Sequence, residues 1–353
     1  MNGVHGRRAS LATIAARAGV SMSTVSRIAN GQLNRANAET VARIQALIDE
    51  YGYRPNSVGR ALRRGESRLV AMLVPNLDNP AMAAIASSTE AALRSIGHVT
   101  LLCDTHDDPE IQDEYLAAMR AQSVRGYVLV SCVASPGLAA FLKRGEPAVL
   151  VGRRQPGGFA AAPFVGIDDV GAGREAADFL LDAGVERPAL LHSALTSSAI
   201  ADRVTGFTTR LVERGVPKSA IRVGRSERRA HLESGYEAIR RLVADGGWPA
   251  GLMCVSDQMA YGAWRHAHEC GVAVPQDCLF TGVDENPLNA WIAPWLTSVH
   301  VPYENYGAAI VSQLEARWAG EASADILLPH RLVPRPRTSD RRAEANATAA
   351  SPD

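Results

Sequence analysis

The sequence predicts a small all-α head followed by a larger α/β body of two lobes, each built on a doubly wound parallel sheet. Three observations support this fold class. Short amphipathic helices occupy the first 55 residues, buried strands alternate with helices from residue 68, and this alternation pauses and then resumes. At 353 residues, the chain is long enough for one small module and a larger body.

The head begins with two short helices around a glycine turn. Apolar residues at helical spacing predict a first helix that ends at Gly19, since glycine tolerates the left-handed conformation. Residues 23–30 are predicted to be helical again, with Val25 and Ile28 buried and polar side chains facing outward. The pattern is typical of a helix-turn-helix.

A third helix is predicted from Ala38 to Tyr51, with Asn37 as its N-cap. Three helices of this size also fit a generic bundle, and the distribution of charge favours DNA binding over that alternative. Residues 1–68 contain eleven arginines and four acidic residues, an excess of seven positive charges, and the net charge of zero makes the remainder equally acidic. A basic module on an acidic body is typical of DNA-binding proteins.

Several other classes of protein are disfavoured. No apolar run is long enough to span a bilayer, and residues 1–18 lack the continuous apolar core of a secretory signal. The five cysteines show no CxxC spacing, which indicates reduced thiols in a cytoplasmic protein. We therefore expect a cytoplasmic protein without membrane contact.

Enzyme and metal signatures are also weak. Gly171-Ala172-Gly173 follows a predicted strand but lacks the third glycine of a dinucleotide fingerprint. His268 is two residues from both His266 and Cys270, so the three side chains do not share one helix face that could bind a metal. We expect no cofactor, no metal and no enzymatic activity.

The head resembles the LacI/GalR (lactose-repressor) family. The similarity lies in Ile14-Ala15, Ala18-Gly19-Val20-Ser21 and Thr24-Val25-Ser26-Arg27, continues through Tyr51-Gly52-Tyr53-Arg54-Pro55-Asn56, and extends more loosely to about Arg337. It implies that Met22, Ser23 and Arg27 read base edges in the major groove. Small polar side chains suited to phosphate oxygens are those of Ser21, Thr24, Ser26 and Asn30.

The resemblance also implies a hinge helix over residues 56–67 that orders on DNA. Leu62 takes the position of the leucine wedge that enters the minor groove, with Asn56 and Arg60 in the same segment. Gly59 stands where the family usually has alanine, which should cost about 1 kcal/mol of helix propensity. We expect this hinge to depend more on DNA and dimer contacts for its order.

The body resembles the periplasmic-binding-protein fold of that family, with an effector cleft between the lobes. The implied cleft residues are Asn79, Arg203, Ser256 and Asp284. A guanidinium and a carboxylate suit a polyol or sugar-like ligand, because one donates and the other accepts hydrogen bonds from hydroxyl groups. Asp257 is expected to cap the following helix.

Aromatic side chains are missing where the family usually places them. Ala81 and Met82 replace two phenylalanines, and Ala230 lies where some relatives have an aromatic residue, which disfavours a purine effector. Trp291 lies near a predicted lobe crossing. It either supplies a stacking face to the effector or packs between the lobes.

The predicted organisation has a head, a hinge, a body and a tail, and its bounds are 1–55, 56–67, 68–337 and 338–353. Within the body we expect an N-lobe at about 68–158 and 290–322 and a C-lobe at about 159–289 and 323–337. The tail has the composition of a disordered segment and lacks the leucines of a tetramerising coiled coil, so a homodimer on a palindromic operator is expected.

The expected function is transcriptional regulation, most simply repression, by a protein that binds operator DNA and a small polar metabolite. The competing interpretation is a non-enzymatic small-molecule-binding protein whose helical head binds a protein partner. Salt dependence separates the two, because phosphate contacts lose affinity steeply as salt rises.

Overall fold

The computed structural model describes residues 10–29, 31–33, 36–53, 67–154, 162–193, 197–228 and 230–335. It divides into two compact units, Met1–Ser67 and Arg68–Asp353. The first unit comprises the predicted head and hinge, and the second contains the body. No helix within the described ranges is both long and apolar enough to cross a membrane.

The head is a three-helix bundle. Its helices are α1 (Leu11–Ala18), α2 (Met22–Ala29) and α3 (Ala38–Glu50). The predicted end of α1 is confirmed, since Gly19 has a left-handed φ of 64°. Asn37 is confirmed as the N-cap of α3 and accepts a hydrogen bond from the Thr40 N–H at 2.8 Å. Val25 and Ile28 lie in the core as expected, and they pack with Ile14.

The first lobe of the body is built on a six-stranded parallel sheet with the order β11-β5-β4-β3-β1-β2. Its strands are β1 (Leu69–Val74), β2 (Val99–Asp104), β3 (Gly126–Val130), β4 (Ala148–Val151), β5 (Phe164–Ile167) and β11 (Ile326–Leu328). The helices that join or cover these strands are α4 (Pro80–Ser95), α5 (Pro109–Ala121), α6 (Pro136–Lys143) and α12 (Tyr303–Ala319).

The second lobe has a similar sheet with the order β12-β10-β9-β8-β6-β7. Its strands are β6 (Ala189–Ser193), β7 (Arg222–Ser226), β8 (Gly251–Cys254), β9 (Leu279–Asp284), β10 (Leu296–His300) and β12 (Arg331–Val333). Its helices are α7 (Asp169–Asp182), α8 (Ser198–Glu213), α9 (His231–Gly246), α10 (Asp257–Glu269) and α11 (Asn289–Ile292). The edge strand β12 runs antiparallel to β10, whereas the other pairs are parallel.

The chain crosses between the lobes later than the predicted bounds at about 159, 290 and 323. Strand β5 pairs with β4 in the first sheet, and β10 pairs with β9 in the second. The crossings therefore follow β5, β10 and β11. The sequence pattern could not place them, because a buried strand has the same apolar composition in either sheet.

Glycines set the spacing of the helix pairs that flank the second sheet. A Cβ atom on Gly262 of α10 would overlap the Leu232 carbonyl oxygen of α9, and one on Gly235 would overlap the Met259 carbonyl oxygen. Gly173, from the partial glycine pattern, has the same role, because its Cβ atom would overlap the Arg203 carbonyl oxygen of α8. The absence of a side chain at these positions lets the helix backbones touch.

Replacing Gly262 with alanine is expected to destabilise the body, because the new methyl group would overlap backbone that cannot move freely. Overpacking of this kind costs roughly 1–3 kcal/mol. Urea unfolding followed by circular dichroism, at one protein concentration, measures the change. The matched control is Gly246→Ala, where the nearest atoms belong to the Arg222 guanidinium and lie 3.1 Å or more from the methyl group. A Gly262→Ala chain as stable as the wild type would contradict this account of the helix contact.

Candidate functional site

A cavity of about 390 Å³ lies between the two lobes of the body. Residues that line it follow the carboxyl ends of strands in both sheets: Asp107 follows β2, Arg153 follows β4, and Ser256 follows β8. Ligands of doubly wound sheets bind at this edge, outside the carboxyl ends of the strands. The cavity is therefore the candidate effector cleft.

Arg203 lies at the floor of the cleft and is held by two strong hydrogen bonds. Its Nε donates to Asp169 Oδ1 at 2.7 Å, and its Nη1 donates to the Val255 carbonyl oxygen at 2.7 Å. Burial alone would lower the pKa of Arg203, but the carboxylates of Asp169 and Asp284 raise it instead. Arg203, which is predicted to bind the ligand, therefore also forms the ion pair with the buried carboxylate of Asp169.

Asp284 lines the same cleft at the end of β9. Its Oδ1 accepts a hydrogen bond of 2.6 Å from the hydroxyl group of Tyr303, which begins α12 in the first lobe. Burial raises the pKa of Asp284, although Arg203 opposes the rise. Its φ of 124° is strained for a residue with a side chain, and such strain is concentrated at binding and catalytic sites.

The other two predicted ligand residues line the cavity but use their oxygens as helix caps. Asn79 Oδ1 accepts from the Ala81 N–H at 3.0 Å at the start of α4. Ser256 Oγ accepts from the Met259 N–H at the start of α10 and hydrogen-bonds His231 Nδ1 at 3.0 Å. The Asn79 amide nitrogen therefore remains as the donor that Asn79 can offer to a ligand.

Asp257 does not cap α10 as expected, because β8 ends at Cys254 and the cap falls one residue earlier, on Ser256. The Asp257 carboxyl group is buried instead. It accepts hydrogen bonds from the Asn289 side chain at 2.7 Å and the Ser298 hydroxyl group at 2.6 Å. Burial and the nearby Asp284 raise the pKa of Asp257 to about 8. Its role is to hold the loop that follows β9.

The expectation for Trp291 is wrong in both of its forms. Its side chain neither lines the cleft nor packs between the lobes, and it is 83% exposed on the short helix α11. Leu288 and Ile292 on the same turn are 51% and 62% exposed. These three side chains form an apolar patch on the surface of the second lobe. Aromatic groups in the cleft come from Tyr303 and Tyr306 of α12 instead.

Sequence reasoning missed Arg153, His231 and Tyr303 as residues that line the cleft. Arg153 follows β4, a strand that the sequence analysis did not place, and Tyr303 follows the second lobe crossing. A search for polar residues within the first few positions after each strand would have found Arg153 and Tyr303. No group of three metal-ligating side chains occurs within the described ranges.

In the head, α2 presents the side chains that are predicted to read bases. Met22, Ser23 and Arg27 are exposed, with Met22 55% accessible, while the opposite face of α2 is buried in the core. Ser21 caps this helix, because its Oγ accepts from the Thr24 N–H at 3.2 Å. Ser26 is half-buried on the same helix, and the predicted DNA residues Asn30, Asn56, Arg60 and Leu62 lie outside the described residues.

Two family models match the chain. Residues 10–56 match the bacterial regulatory proteins of the lacI family, and residues 177–338 match a periplasmic binding protein-like domain.

Relatives match over nearly the whole chain. An uncharacterised HTH-type transcriptional regulator in the aml 5' region of Streptomyces limosus is 34% identical over 312 residues, covering 86% of each protein. A complex of the transcriptional regulator CelR with cellobiose aligns with a TM-score of 0.68 and 27% identity, over 93% of this chain and 99% of that chain. The lac repressor dimer bound to operator and an anti-inducer aligns with a TM-score of 0.79 and 24% identity, over 93% and 98%.

Replacing Arg203 with alanine is expected to lower the free energy of unfolding by about 3–5 kcal/mol, because it leaves the buried Asp169 without its partner. Urea unfolding measures the loss. The control is Arg94→Ala, which breaks an exposed ion pair with Glu90 on α4 and should change stability little. Equal stability of the two variants would mean that Asp169 is not held as a charged group by Arg203.

Proposed function

The chain belongs to the lacI family of bacterial regulatory proteins, and we propose that it is a repressor that binds operator DNA under the control of a sugar-like effector. The polar cleft at the carboxyl ends of both sheets supports effector binding. The exposed polar face of α2 supports DNA binding.

We propose that α2 recognises DNA, and the exposure of its polar side chains supports this. Arg27 can donate two hydrogen bonds to guanine, Met22 can contact a thymine methyl group, and Ser23 can donate or accept. Thr24, Ser26 and Asn30 are proposed to contact phosphates, as is Ser21 in addition to its capping role. In the segment 56–67, Leu62 is proposed to enter the minor groove beside Asn56 and Arg60.

The regulator is proposed to act as a homodimer on a palindromic operator, in the cytoplasm, where bacterial operators are found. Two helix-turn-helix units related by a two-fold axis read two half-sites. The exposed patch of Leu288, Trp291 and Ile292 supports self-association, because contiguous exposed apolar side chains mark interaction surfaces. Repression is favoured over activation because a bound dimer blocks a promoter without any further contact surface.

The effector is proposed to be a hydroxyl-rich small molecule, by likeness to CelR, which was solved with cellobiose. Asp284 can accept hydrogen bonds from hydroxyl groups, and Arg203 and the Asn79 amide can donate them. Binding would change lobe closure, because Asp284 already contacts Tyr303 of the other lobe. A difference in effector affinity between open and closed lobes then changes operator affinity, typically by about 1–3 kcal/mol. This role requires no enzymatic step and no cofactor.

The purified chain is expected to retain a short palindromic sequence from sheared DNA of its source genome, and less of it at physiological salt than at low salt. Arg27→Ala should weaken retention of that palindrome, since a bidentate base contact contributes about 1–3 kcal/mol of discrimination. Arg43→Ala on α3 removes the same charge from an exposed position outside α2 and serves as the matched control.

Sequencing the retained DNA with and without a pool of metabolites tests both halves of the proposal. A palindrome that appears or disappears with the pool supports an effector-controlled repressor. Retention that is indifferent to salt and to sequence under both conditions would refute DNA recognition and favour a protein partner for the head.

A further inference from the structure

One buried cation in the cleft has unused hydrogen-bonding capacity. The side chain of Arg153, two residues after the end of β4, is only 15% exposed and lines the cavity from the first lobe. Its Nη1 makes two long contacts, 3.5 Å to Asp107 Oδ1 and 3.4 Å to the Cys132 carbonyl oxygen. Its Nε is buried and has no hydrogen-bond partner in the part of the chain that the structure describes.

Arg153 differs in this respect from Arg203, the other arginine that lines the cavity. The Nε and Nη1 atoms of Arg203 make bonds of 2.7 Å to Asp169 and to a backbone carbonyl. A buried charged donor without a partner costs more than an unpaired neutral group does. A site that leaves such a donor open is completed by a ligand that accepts from it, and it rejects analogues that cannot.

We propose that the effector is a hydroxylated carboxylic acid, a sugar acid, whose carboxylate binds Arg153 through Nε and a second guanidinium nitrogen. This inference rests on the effector-binding function proposed above. A planar guanidinium presents two parallel N–H groups that match the two oxygens of a carboxylate. The carboxylate binds the side of the guanidinium formed by Nε and Nη2, so the contact of Nη1 with Asp107 stays in place.

The other charges around the cavity are compatible with a single negative charge on the ligand. Four carboxyl groups line it. Asp169 is paired with Arg203 at 2.7 Å, and Asp107 lies 3.5 Å from Nη1 of Arg153. Asp284 accepts from Tyr303, and burial raises its pKa. Asp78 is exposed, so water screens it. Because carboxyl groups outnumber the two arginines, a doubly charged phosphate would meet more repulsion than a carboxylate.

The hydroxyl groups of such a ligand have partners on the opposite wall of the cleft. Asp284 accepts, and His231 lines the same cavity with its Nδ1 hydrogen-bonded to Ser256. Burial and Arg203 lower the pKa of His231, whereas Asp107 raises it. The carboxylate is therefore directed to Arg153 in the first lobe and the hydroxyl groups to the second, so that one ligand contacts both lobes.

Isothermal titration calorimetry of the full chain tests this with D-glucuronate, D-glucose, D-glucosamine and D-glucose 6-phosphate, and with D-galacturonate and D-galactose, at matched ionic strength. A uronate should bind roughly tenfold or more tightly than its neutral parent sugar, the strength of a charged hydrogen-bonded contact. Arg153→Gln should remove that preference. Arg153→Lys, which keeps the charge and loses the fork, should retain part of it.

The matched control is Arg187→Gln, which removes an exposed arginine of the second lobe that does not line the cavity and should leave the preference intact. Thermal melting shows whether each variant is folded. If Arg153→Gln does not fold, the binding preference of Arg153→Lys is the test. The proposal is overturned if a neutral sugar, the amino sugar or the phosphate binds as tightly as the uronates. It is equally overturned if neither uronate binds, or if the Arg153 variants keep the full preference.

Different results would refute the sugar-acid proposal and the proposal that the chain is a DNA-binding regulator. Arg153 lies in the body, so Arg153→Gln should still retain the genomic palindrome in the absence of ligand. Retention of the palindrome together with indifference to the uronates refutes the sugar acid alone. If the wild-type chain retains no specific DNA sequence, the proposal that it is a DNA-binding regulator is refuted.

Discussion

The body of this protein depends on keeping the Asp169 and Arg203 side chains paired at the floor of the cleft. Neither group tolerates burial alone, because an unpaired buried charge is strongly destabilising. The helices that contain Asp169 and Arg203 bring the two side chains together. Gly173 on α7 and Gly206 on α8 have no side chain where the two backbones touch, so the starts of both helices reach the same point. Packing of small residues thus creates the electrostatic centre of the site.

From that centre, the hydrogen bond between Asp284 and Tyr303 connects the second lobe to the first. Asp284 is buried beside Arg203 and has a strained backbone, so its position is fixed by its surroundings and not by local preference. A ligand that hydrogen-bonds this carboxyl group acts on a contact that both lobes share. Differential affinity for two lobe arrangements is what an effector needs to shift an equilibrium between them.

The sequence predicted most of the features that depend on near neighbours. Gly19, Asn37, Val25 and Ile28 have the expected roles because caps and helix faces are set within a few residues. It also indicated two lobes, but the sheet to which residues 164–167 and 296–300 belong depends on pairing with distant strands. For the cleft, resemblance supplied four positions. It could not supply Arg153 or exclude Trp291, because burial and the convergence of strand ends decide both.

The cleft also shows why a correct position does not fix a role. Asn79 and Ser256 line the cavity, yet their oxygens hold the first turns of α4 and α10. Such side chains make the strand-to-helix junctions rigid and leave few groups to discriminate between ligands. The remaining groups come from both lobes and include Arg153 of the first lobe and Asp284 of the second. Under the proposed function, a ligand that hydrogen-bonds both walls would couple the choice of effector to closure of the lobes.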